Sequence, residues 1–274
     1  MTSAVPTSQA VILARGLGTR MKQAAAGALS SEQARAADAG QKGMMPVGRP
    51  FLDYVLSALA DGGIREVTFV VAPEHEAMHH YFTATAPPAR VAVRFAVQDE
   101  PRGTAHAVLA ARGAVRDAPF LVLNSDNLYS PTAIRELAAL GGYGLVAYES
   151  ESLVRDSGLE EARVLRFALL DIGADDLLCD IREKPAADDP LALRAERWVS
   201  MNLWSFEPSF FAACERVTPS PRGELELQDA VTLAMREQRA HFRVVRRREG
   251  VLDLSSRDDV FAVAARLAGV DVRP

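Results

Sequence analysis

The sequence predicts an α/β protein built on a doubly wound, mainly parallel sheet flanked by helices. Short apolar runs alternate with amphipathic segments of helix length over the first 150 residues, which is typical of right-handed βαβ units. The composition is 49% hydrophobic and 24% charged over 274 residues, the balance of a globular protein. We expect a single domain, 1–274, with an α/β half to about residue 150 and a more mixed half after it.

In the first half, four runs rich in β-branched and aromatic residues are predicted as buried parallel strands: Gln9–Ala14, Glu66–Ala72, Val91–Gln98 and Phe120–Asn124. Amphipathic spacing predicts helices between and after them: Phe51–Ala60, Glu74–Phe82, Thr104–Arg112 and Pro131–Leu140. Ligands of such sheets gather beyond the carboxyl ends of the strands. We therefore expect the functional residues in the strand-to-helix loops.

In the second half, strands are predicted at Ala162–Leu170, Asp176–Glu183 and Trp198–Phe206, without a full helix between each. Helices are predicted to return at Pro208–Val217, Leu225–Glu237 and Asp258–Ala268, the last after a cap formed by Ser255 and Ser256. Within the Ala-rich stretch Ala24–Gly40, Ser30 and Gln33 have capping-box spacing. A short surface helix is therefore expected there.

Charge and cysteine content exclude several classes of protein. The net charge of −5 and the pI of about 5.6 disfavour a nucleic-acid partner, which needs a broad cationic surface. Cys179 and Cys214 are the only cysteines, too few for a disulfide framework or a four-thiolate zinc site. Residues Met1–Ser8 lack an export signal and no run reaches 18 apolar residues. We expect a cytoplasmic protein without a membrane partner.

The first predicted strand leads directly into LARGLGTRM, Leu13 to Met21. Glycines at 16 and 18 permit a sharp bend that turns backbone N–H groups toward an anion, and Arg20 adds a guanidinium suited to phosphate oxygens. The third glycine of a dinucleotide-binding fingerprint and the Gly-Lys-Ser/Thr of a Walker A loop are both missing. The sequence predicts a phosphate-binding loop of another kind; a simple tight turn is the competing interpretation.

A second motif points to a different chemistry. His75-Glu76-Ala77-Met78-His79 matches H-E-x-x-H, which on a helix would place two imidazoles on one face for zinc. Phe82 stands where the extended motif would have glycine. A zinc metallopeptidase is therefore a remote alternative, and a solvated helix face is the simpler explanation. The arginines Arg243 and Arg246–Arg248 form the one basic cluster, best explained as a solvated strand end.

The glycine-rich stretch LARGLGTRM, followed by Lys42-Gly43-Met44-Met45-Pro46, resembles the L-A-A-G-x-G-T-R and K-x-x-x-P motifs of the sugar-phosphate nucleotidylyltransferases, the NDP-sugar pyrophosphorylases. The KGMMP stretch is close to the form seen in uridylyltransferases of that family. Further stretches resemble later family motifs, in order: Pro50–Ile64, Gln98–Val108, Phe120–Asn127, Arg182–Pro185, Ser200–Phe206, Arg222–Ala230 and Leu252–Val260. The resemblance covers essentially the whole chain.

This resemblance implies a fold, a reaction and a cofactor. The fold would be the Rossmann-like mixed sheet of the glycosyltransferase-A type, with a nucleotide-binding half and a sugar-phosphate-binding half. The reaction would couple a nucleoside triphosphate with a sugar 1-phosphate through in-line attack on the α-phosphorus, with Mg²⁺ as cofactor. UTP or dTTP is favoured, while guanylyl, adenylyl and cytidylyl transfer stay open. Homo-oligomers are common among such enzymes. A catalytically silent nucleotide-sugar-binding or regulatory relative is the alternative.

The resemblance also implies roles for individual residues. The catalytic residues would be Arg20, Lys42 and Asp126. Nucleotide binding would fall to Leu13, Ala14, Gly16, Gly18, Thr19, Gln98, Gly103 and Thr104. Sugar-phosphate binding would fall to Glu183, Lys184 and Asn202, and Mg²⁺ would lie between Asp126 and Asp229.

Several of these positions have simpler explanations. Asp126 could be an ordinary turn aspartate, and Asp229 a helix N-terminal carboxylate favoured by the dipole. The long insertion between Arg20 and Lys42 leaves Lys22 as an alternative to Lys42. Arg15 stands where the family has alanine, so it could either strengthen triphosphate binding or point into solvent.

Overall fold

The computed structural model describes residues 6–16, 18, 21 and 29–274. Eleven strands are present in this part of the chain: β1 (Gln9–Leu13), β2 (Glu66–Val71), β3 (Ala92–Val97), β4 (Phe120–Asn124), β5 (Asn127–Leu128), β6 (Gly144–Glu149), β7 (Ala168–Ile172), β8 (Leu178–Arg182), β9 (Trp198–Phe206), β10 (Arg243–Arg247) and β11 (Leu252–Asp253). The described helices are α1 (Ser31–Asp38), α2 (Phe51–Asp61), α3 (Glu76–His80), α4 (Thr104–Ala110), α5 (Pro131–Ala139), α6 (Ser150–Ser157), α7 (Glu161–Val164), α8 (Phe210–Arg216), α9 (Leu227–Glu237) and α10 (Asp259–Leu267).

Nine strands form one sheet, whose main path runs in the order β10-β6-β9-β4-β1-β2-β3. The strands β3, β2, β1 and β4 are parallel neighbours, and β10 runs parallel to β6. Only β9 is antiparallel to its neighbours on this path, β4 and β6. The β7–β8 hairpin pairs with the first half of β9, and β5 and β11 form a separate two-stranded ladder. The predicted mixed, mainly parallel sheet is confirmed.

Each face of the sheet packs against its own layer of helices. Side chains alternate along a strand, so Ala10 and Ile12 of β1 join one core while Val11 joins the other. The first core takes the apolar sides of α2, α5 and α10, and the second takes those of α4, α8 and α9. Strands β1, β2, β4, β6 and β9 are buried along almost their whole length, which explains their nearly continuous apolar sequences. The prediction that Val91–Gln98 is a buried strand is wrong, because β3 lies at the edge of the sheet and is mostly exposed.

The register of β1 decides which loops meet. Leu13 pairs with Asn124 of β4 on one side and with Val70 of β2 on the other. Parallel strands that end together place the residues that follow them at one edge of the sheet. The glycine loop after β1 and the Ser125–Asp126 turn after β4 are therefore neighbours.

The first-half elements lie within a few residues of their predicted bounds. The helix predicted at Glu74–Phe82 is shorter, because it begins at Glu76 and passes into a π-helical turn at Tyr81–Thr85. The α1 helix within the Ala24–Gly40 stretch is confirmed with both bonds of its capping box: Ser30 Oγ accepts from the Gln33 N–H, and Gln33 Oε1 accepts from the Ser30 N–H.

Two second-half predictions are wrong. Ala162–Leu170 is not one strand: its beginning belongs to the helical turn α7, and β7 starts at Ala168. The serines before α10 do not cap it, because the bonds run the other way, with the Asp259 carboxylate accepting from the N–H groups of Ser255 and Ser256. The β6 and α6 elements were not predicted. None of the described helices has the length and apolar character needed to span a bilayer.

Candidate active site

A cavity of about 520 Å³ opens at the edge of the sheet where β1 and β4 end. Twelve of the predicted site residues line it: Leu13, Ala14, Gly16, Gly18, Lys42, Gln98, Gly103, Thr104, Asp126, Glu183, Lys184 and Asn202. Thr19, Arg20 and the alternative Lys22 lie outside the described residues. The two halves of the chain therefore contribute to a common cavity.

Lys42 and Asp126 form an ion pair inside this cavity. The Nζ atom of Lys42 lies 2.8 Å from Oδ2 of Asp126, and both side chains are largely buried, with 21% and 15% exposure. The two residues are 84 positions apart in the sequence. Lys42 lies in a 3₁₀ turn, Lys42–Met44, and Asp126 lies in the turn between β4 and β5. The ammonium group thus neutralises a carboxylate at the carboxyl edge of the sheet.

Close packing of two glycines brings Lys42 to this position despite the insertion before it. Gly18 and Gly40 both have positive φ angles, +59° and +70°. A Cβ on Gly18 would lie 2.5 Å from the Cα of Gly40, so a larger residue would force the two segments apart. The α1 helix ends just before Gly40, so it returns the chain to the glycine loop. The insertion therefore does not displace Lys42 from the site.

Gln98 follows β3 and is buried, with its side chain held by the protein. Its Nε2 donates to the Gly103 carbonyl at 3.1 Å and lies 3.0 Å from Nδ1 of His106. Gly103 has a φ of +114°, and a Cβ there would lie 2.5 Å from the backbone N of Leu225. The turn before α4 therefore depends on glycine, and Gln98 stabilises it.

Arg15, which stands where the resembled family has alanine, bonds to other parts of the protein. Its Nε donates to the Gln98 carbonyl at 2.5 Å, and its Nη2 donates to the Asp99 carbonyl at 2.9 Å. The side chain joins the loop after β1 to the loop after β3. The alternative that the Arg15 side chain only points into solvent is therefore wrong.

Asp253 occupies the position beside Asp126 that the sequence analysis gave to Asp229. Asp253 lies on β11 opposite Asn127 of β5, and the Leu254 N–H donates to the Asp126 carbonyl at 2.8 Å. Burial and the Asp126 carboxylate both raise the pKa of Asp253. Two carboxylates are thus held close together in a largely water-excluded place.

Asp229 lies elsewhere, in the first turn of α9, and it is not among the described residues that line the cavity. Partial desolvation and the neighbouring Glu226 carboxylate raise its pKa. Its position matches the helix N-terminal carboxylate that competed with the metal role in the sequence analysis. The acid that lies beside Asp126 in the described structure is therefore Asp253 and not the predicted Asp229.

The Asp126 and Asp253 carboxylates fit a Mg²⁺ ion. Mg²⁺ is commonly bound through one or two protein carboxylates, with water and substrate phosphates supplying the other ligands. Across the described part of the chain, no set of three or more His, Cys, Asp or Glu residues could hold a metal by itself. A divalent cation bound to both carboxylates would reduce the repulsion between them.

Two predicted sugar-phosphate residues that line the cavity from the second half of the chain adopt the left-handed backbone conformation. Lys184 follows β8 with a φ of +46°, and Asn202 interrupts β9 with a φ of +60°. Such a conformation is costly for a residue other than glycine and is often found at binding sites. Gln228 of α9 donates to Oδ1 of Asn202 at 3.3 Å. Partial desolvation raises the pKa of Glu183, although the Lys184 cation acts in the opposite direction.

The distribution of lysine is unusual. The chain has 28 arginines but only three lysines, Lys22, Lys42 and Lys184. Both of the lysines in the described part of the chain line the cavity. Arg166, in the turn between α7 and β7, also lines it and is exposed. Flexible point charges are therefore concentrated at the site, whereas arginine supplies the ion pairs of the surface.

The H-E-x-x-H motif is not part of this cavity. His75 is buried and lies before the first residue of α3, and its Nδ1 accepts a long bond, 3.5 Å, from the Ala72 N–H. His79 packs against Phe95, with ring centroids 4.5 Å apart. The structure therefore gives no support to the zinc metallopeptidase alternative.

Three of the four arginines of the basic cluster at β10, Arg246 to Arg248, form ion pairs in the described structure. Arg246 pairs with Asp176 at 2.8 Å, and Arg248 pairs with Glu149 at 2.7 Å. Its charge is thus balanced locally by acidic neighbours, as expected for a solvated strand end.

Sequence reasoning missed Asp253 although a signal was present. Asp253 directly follows the apolar pair Val251-Leu252, so it ends a short strand as Asp126 nearly does, whereas Asp229 lies within an amphipathic pattern that predicts a helix. Arg163 was also missed, because its only signal is a charge within a run that was predicted as a strand. Its contacts with Asp253 are visible only in three dimensions.

Comparison with known proteins adds three findings. The family model described as "Nucleotidyl transferase" matches residues 9–268. UTP–glucose-1-phosphate uridylyltransferase AglF of Haloferax volcanii is 29% identical over 237 residues, covering 84% of this chain and 85% of that protein. The bifunctional protein GlmU of Methanococcus vannielii is 26% identical over 223 residues, 81% of this chain but 46% of that protein. The chain thus spans about half the length of the GlmU relatives.

Solved structures share the fold. A UDP-glucose pyrophosphorylase complexed with UDP-glucose superposes with a TM-score of 0.74 at 16% identity, over 95% of this chain and 98% of that one. UTP-bound UGPase from Acinetobacter baumannii gives a TM-score of 0.73 at 18% identity, over 97% and 95% of the two chains. A likeness at this identity concerns the arrangement of strands and helices.

Proposed function

Because this chain belongs to the nucleotidyl transferase family, we propose that it couples a nucleoside triphosphate with a sugar 1-phosphate to give an NDP-sugar and pyrophosphate. The observation that carries the proposal is the convergence of Lys42, Lys184, Asp126 and Asp253 on one cavity. A volume of about 520 Å³ lies within the range of small-molecule sites. The cavity joins the predicted nucleotide-binding half to the predicted sugar-phosphate-binding half.

The charges of the cavity suit this reaction. The two substrates are polyanions that repel each other, so cations are needed where they meet. Lys42 lines the cavity from the first half of the chain and Lys184 lines it from the second half, so we assign one lysine to each substrate. Backbone N–H groups of the glycine loop would complete the cradle for the triphosphate. Arg20 and Thr19 would contribute from the same loop.

The chemical step needs no covalent intermediate on the protein. A phosphate oxygen of the sugar 1-phosphate attacks the α-phosphorus, a new P–O bond forms, and the bond to the bridging oxygen breaks so that pyrophosphate leaves. The protein would contribute by holding the two phosphates in line and by stabilising the charge that develops on them. Lys42 acts at the α-phosphate, and Lys184 holds the attacking phosphate.

Asp126 and Asp253 would hold the Mg²⁺ ion. A bound Mg²⁺ would supply Lewis-acid stabilisation of the phosphate oxygens and a template for their orientation. The remaining contribution of the chain is to fix the two carboxylates in place before the ion arrives. Asp253 is held by three neighbours, Ser255, Arg163 and the β5 strand.

We propose UTP or dTTP as the nucleotide. The proposal rests on Gln98, whose amide suits a pyrimidine edge, and on the KGMMP stretch around Lys42. Two relatives support it, since AglF is a uridylyltransferase and the Mycobacterium tuberculosis relative, 23% identical over 259 residues, is a glucose-1-phosphate thymidylyltransferase.

The test is pyrophosphate release from a panel of five nucleoside triphosphates and several sugar 1-phosphates, with and without Mg²⁺. Turnover is expected with UTP or dTTP, and only when Mg²⁺ is present. Asp126→Asn should lower turnover by roughly 100-fold or more while circular dichroism still shows the fold of the unmodified protein. The exposed Asp188→Asn is the matched control and should keep full activity. Nucleotide binding without turnover for any pair would favour the silent relative.

A further inference from the structure

Arg163 makes a buried bridge between two carboxylates that are distant in sequence. Its Nη2 lies 2.8 Å from Oδ2 of Asp253 and 3.1 Å from Oδ2 of Asp259, and its Nη1 lies 2.6 Å from Oδ1 of Asp259. The three side chains are only 17%, 4% and 14% exposed. Arg163 is 90 positions from Asp253. A charged bridge of this kind has a large desolvation cost, so its geometry must be well satisfied.

The same cluster fixes the chain that follows Asp253. The Asp259 carboxylate, held by Arg163, accepts from the N–H groups of Ser255 and Ser256 at 3.0 and 2.7 Å. Ser255 Oγ donates to Oδ1 of Asp253. Both oxygens of Asp253 are therefore bonded to neighbours, which restricts the side chain to one orientation.

Each acid of the candidate metal pair thus has its own cation. Lys42 pairs with Asp126, and Arg163 pairs with Asp253. The two cations differ, because a guanidinium can bond two carboxylates at once, whereas an ammonium acts as a point charge. Lys42 can leave Asp126 and turn to a phosphate, but Arg163 is fixed on its far side by Asp259.

We propose that Arg163 is a positioning residue that holds the Asp253 carboxylate beside Asp126, so that Asp253 does not have to reorient when a divalent cation binds. The inference rests on the proposed function, since it takes Asp126 and Asp253 as the metal pair. Without Arg163, the repulsion between the two carboxylates would turn Asp253 away from Asp126. Residues outside the first coordination shell commonly change metal affinity by roughly 10- to 100-fold.

A purely structural role would be to fasten α7 to β11 and α10. The chain offers a matched control for that role. Arg197 bonds Glu161 of the same helix, with its Nη2 3.2 Å from Oε1, and neither residue contacts Asp253 or Asp126 in the described structure. Arg197→Met therefore removes a tether of α7 and leaves the acidic pair intact.

The experiment measures the binding of Mn²⁺ alone to the full chain, by the loss of the free Mn²⁺ signal in electron paramagnetic resonance, with Tm recorded for every variant. Arg163→Met should weaken Mn²⁺ binding by about tenfold or more. Arg163→Lys, which keeps a cation but loses the fork, should weaken it by at least about threefold. Arg197→Met should stay within about twofold of the unmodified chain even where its Tm falls.

The outcomes separate the inference from the function on which it rests. Wild-type affinity in a folded Arg163→Met variant would overturn the positioning role while leaving the metal pair in place. If that variant does not fold, unchanged affinity in Arg163→Lys has the same meaning. A wild-type chain that binds no Mn²⁺ would overturn the metal assignment itself. If the Mn²⁺ affinity falls equally in Arg163→Met and Arg197→Met, the only role of Arg163 is to fasten α7.

Discussion

Replacing Lys42 with methionine should change metal binding and turnover in opposite directions. In the free protein, the Lys42 ammonium occupies Oδ2 of Asp126 at 2.8 Å, the face that a divalent cation would use. A metal ion that binds the free protein must therefore displace or share this cation. Methionine keeps the length of the side chain and removes its charge, so the competition disappears.

The magnitude follows from the geometry of the pair. At an effective dielectric constant of about 20, two unit charges roughly 4 Å apart attract by about 4 kcal/mol, which is an upper bound. Lys42 keeps 21% of its side-chain surface exposed, so water compensates for part of that attraction when the pair opens. A net cost of about 1–2 kcal/mol corresponds to roughly a 5- to 30-fold change in affinity.

Mn²⁺ binding to the free Lys42→Met variant should therefore be roughly tenfold tighter than to the wild type, as measured by electron paramagnetic resonance. Turnover of the same variant should fall by roughly 100-fold, because the cation at the α-phosphate is lost. Lys184→Met is the matched control: it removes the other described lysine of the cavity and should leave Mn²⁺ affinity within about twofold. Unchanged or weaker Mn²⁺ binding by Lys42→Met would refute the competition.

Two further predictions concern titratable groups outside the cavity. The Ser152 hydroxyl and the Arg248 guanidinium lower the pKa of Glu149 below 4.5. The Glu149 carboxylate therefore contributes fully to stability above pH 4.5, and this contribution is lost as the pH falls through the folded-state pKa. Glu149→Gln should flatten the fall in Tm on acidification, and an unchanged slope of Tm against pH would contradict this. Burial raises the pKa of Cys214 to about 12, whereas Cys179 is exposed. A thiol reagent near pH 8 should therefore label Cys179 alone in the native protein and both cysteines in denaturant. Rapid labelling of both cysteines in the native protein would show that Cys214 is accessible.

The parts of the fold that sequence predicts well are those with one dominant pattern. Phe120–Asn124 and Trp198–Phe206 have the predicted bounds, because a buried strand that is apolar on both faces leaves little choice of register. The prediction of one strand over residues 162–170 is wrong because the pattern A-x-V-L-x-F-A-L-L fits a strand throughout. A helical turn of four residues is too short to show its own period, and the Arg163 bonds that accompany it come from distant residues.

The site shows the same division. Twelve of the residues predicted from the motifs line the cavity, including Lys42, which follows a long insertion. These residues could be predicted because glycine turns and the ends of strands have recognisable local sequence patterns. The partner of Asp126 could not be chosen in this way, since Asp229 and Asp253 are both acids near the end of the chain. The two-residue strand that ends at Asp253 is a weak local signal, and the pairing of β5 with β11 that places Asp253 beside Asp126 joins distant segments, for which the sequence carries no local signal.

The scarcity of lysine has a practical consequence for anyone who modifies this protein. Amine-directed dyes, cross-linkers and sensor-chip coupling chemistries react with lysine side chains, and here two of the three are Lys42 and Lys184. Reaction at either of these two side chains would place the label in the cavity. Tethering through the exposed thiol of Cys179 avoids this. Conversely, a nucleotide that carries an amine-reactive group would report occupancy with little background.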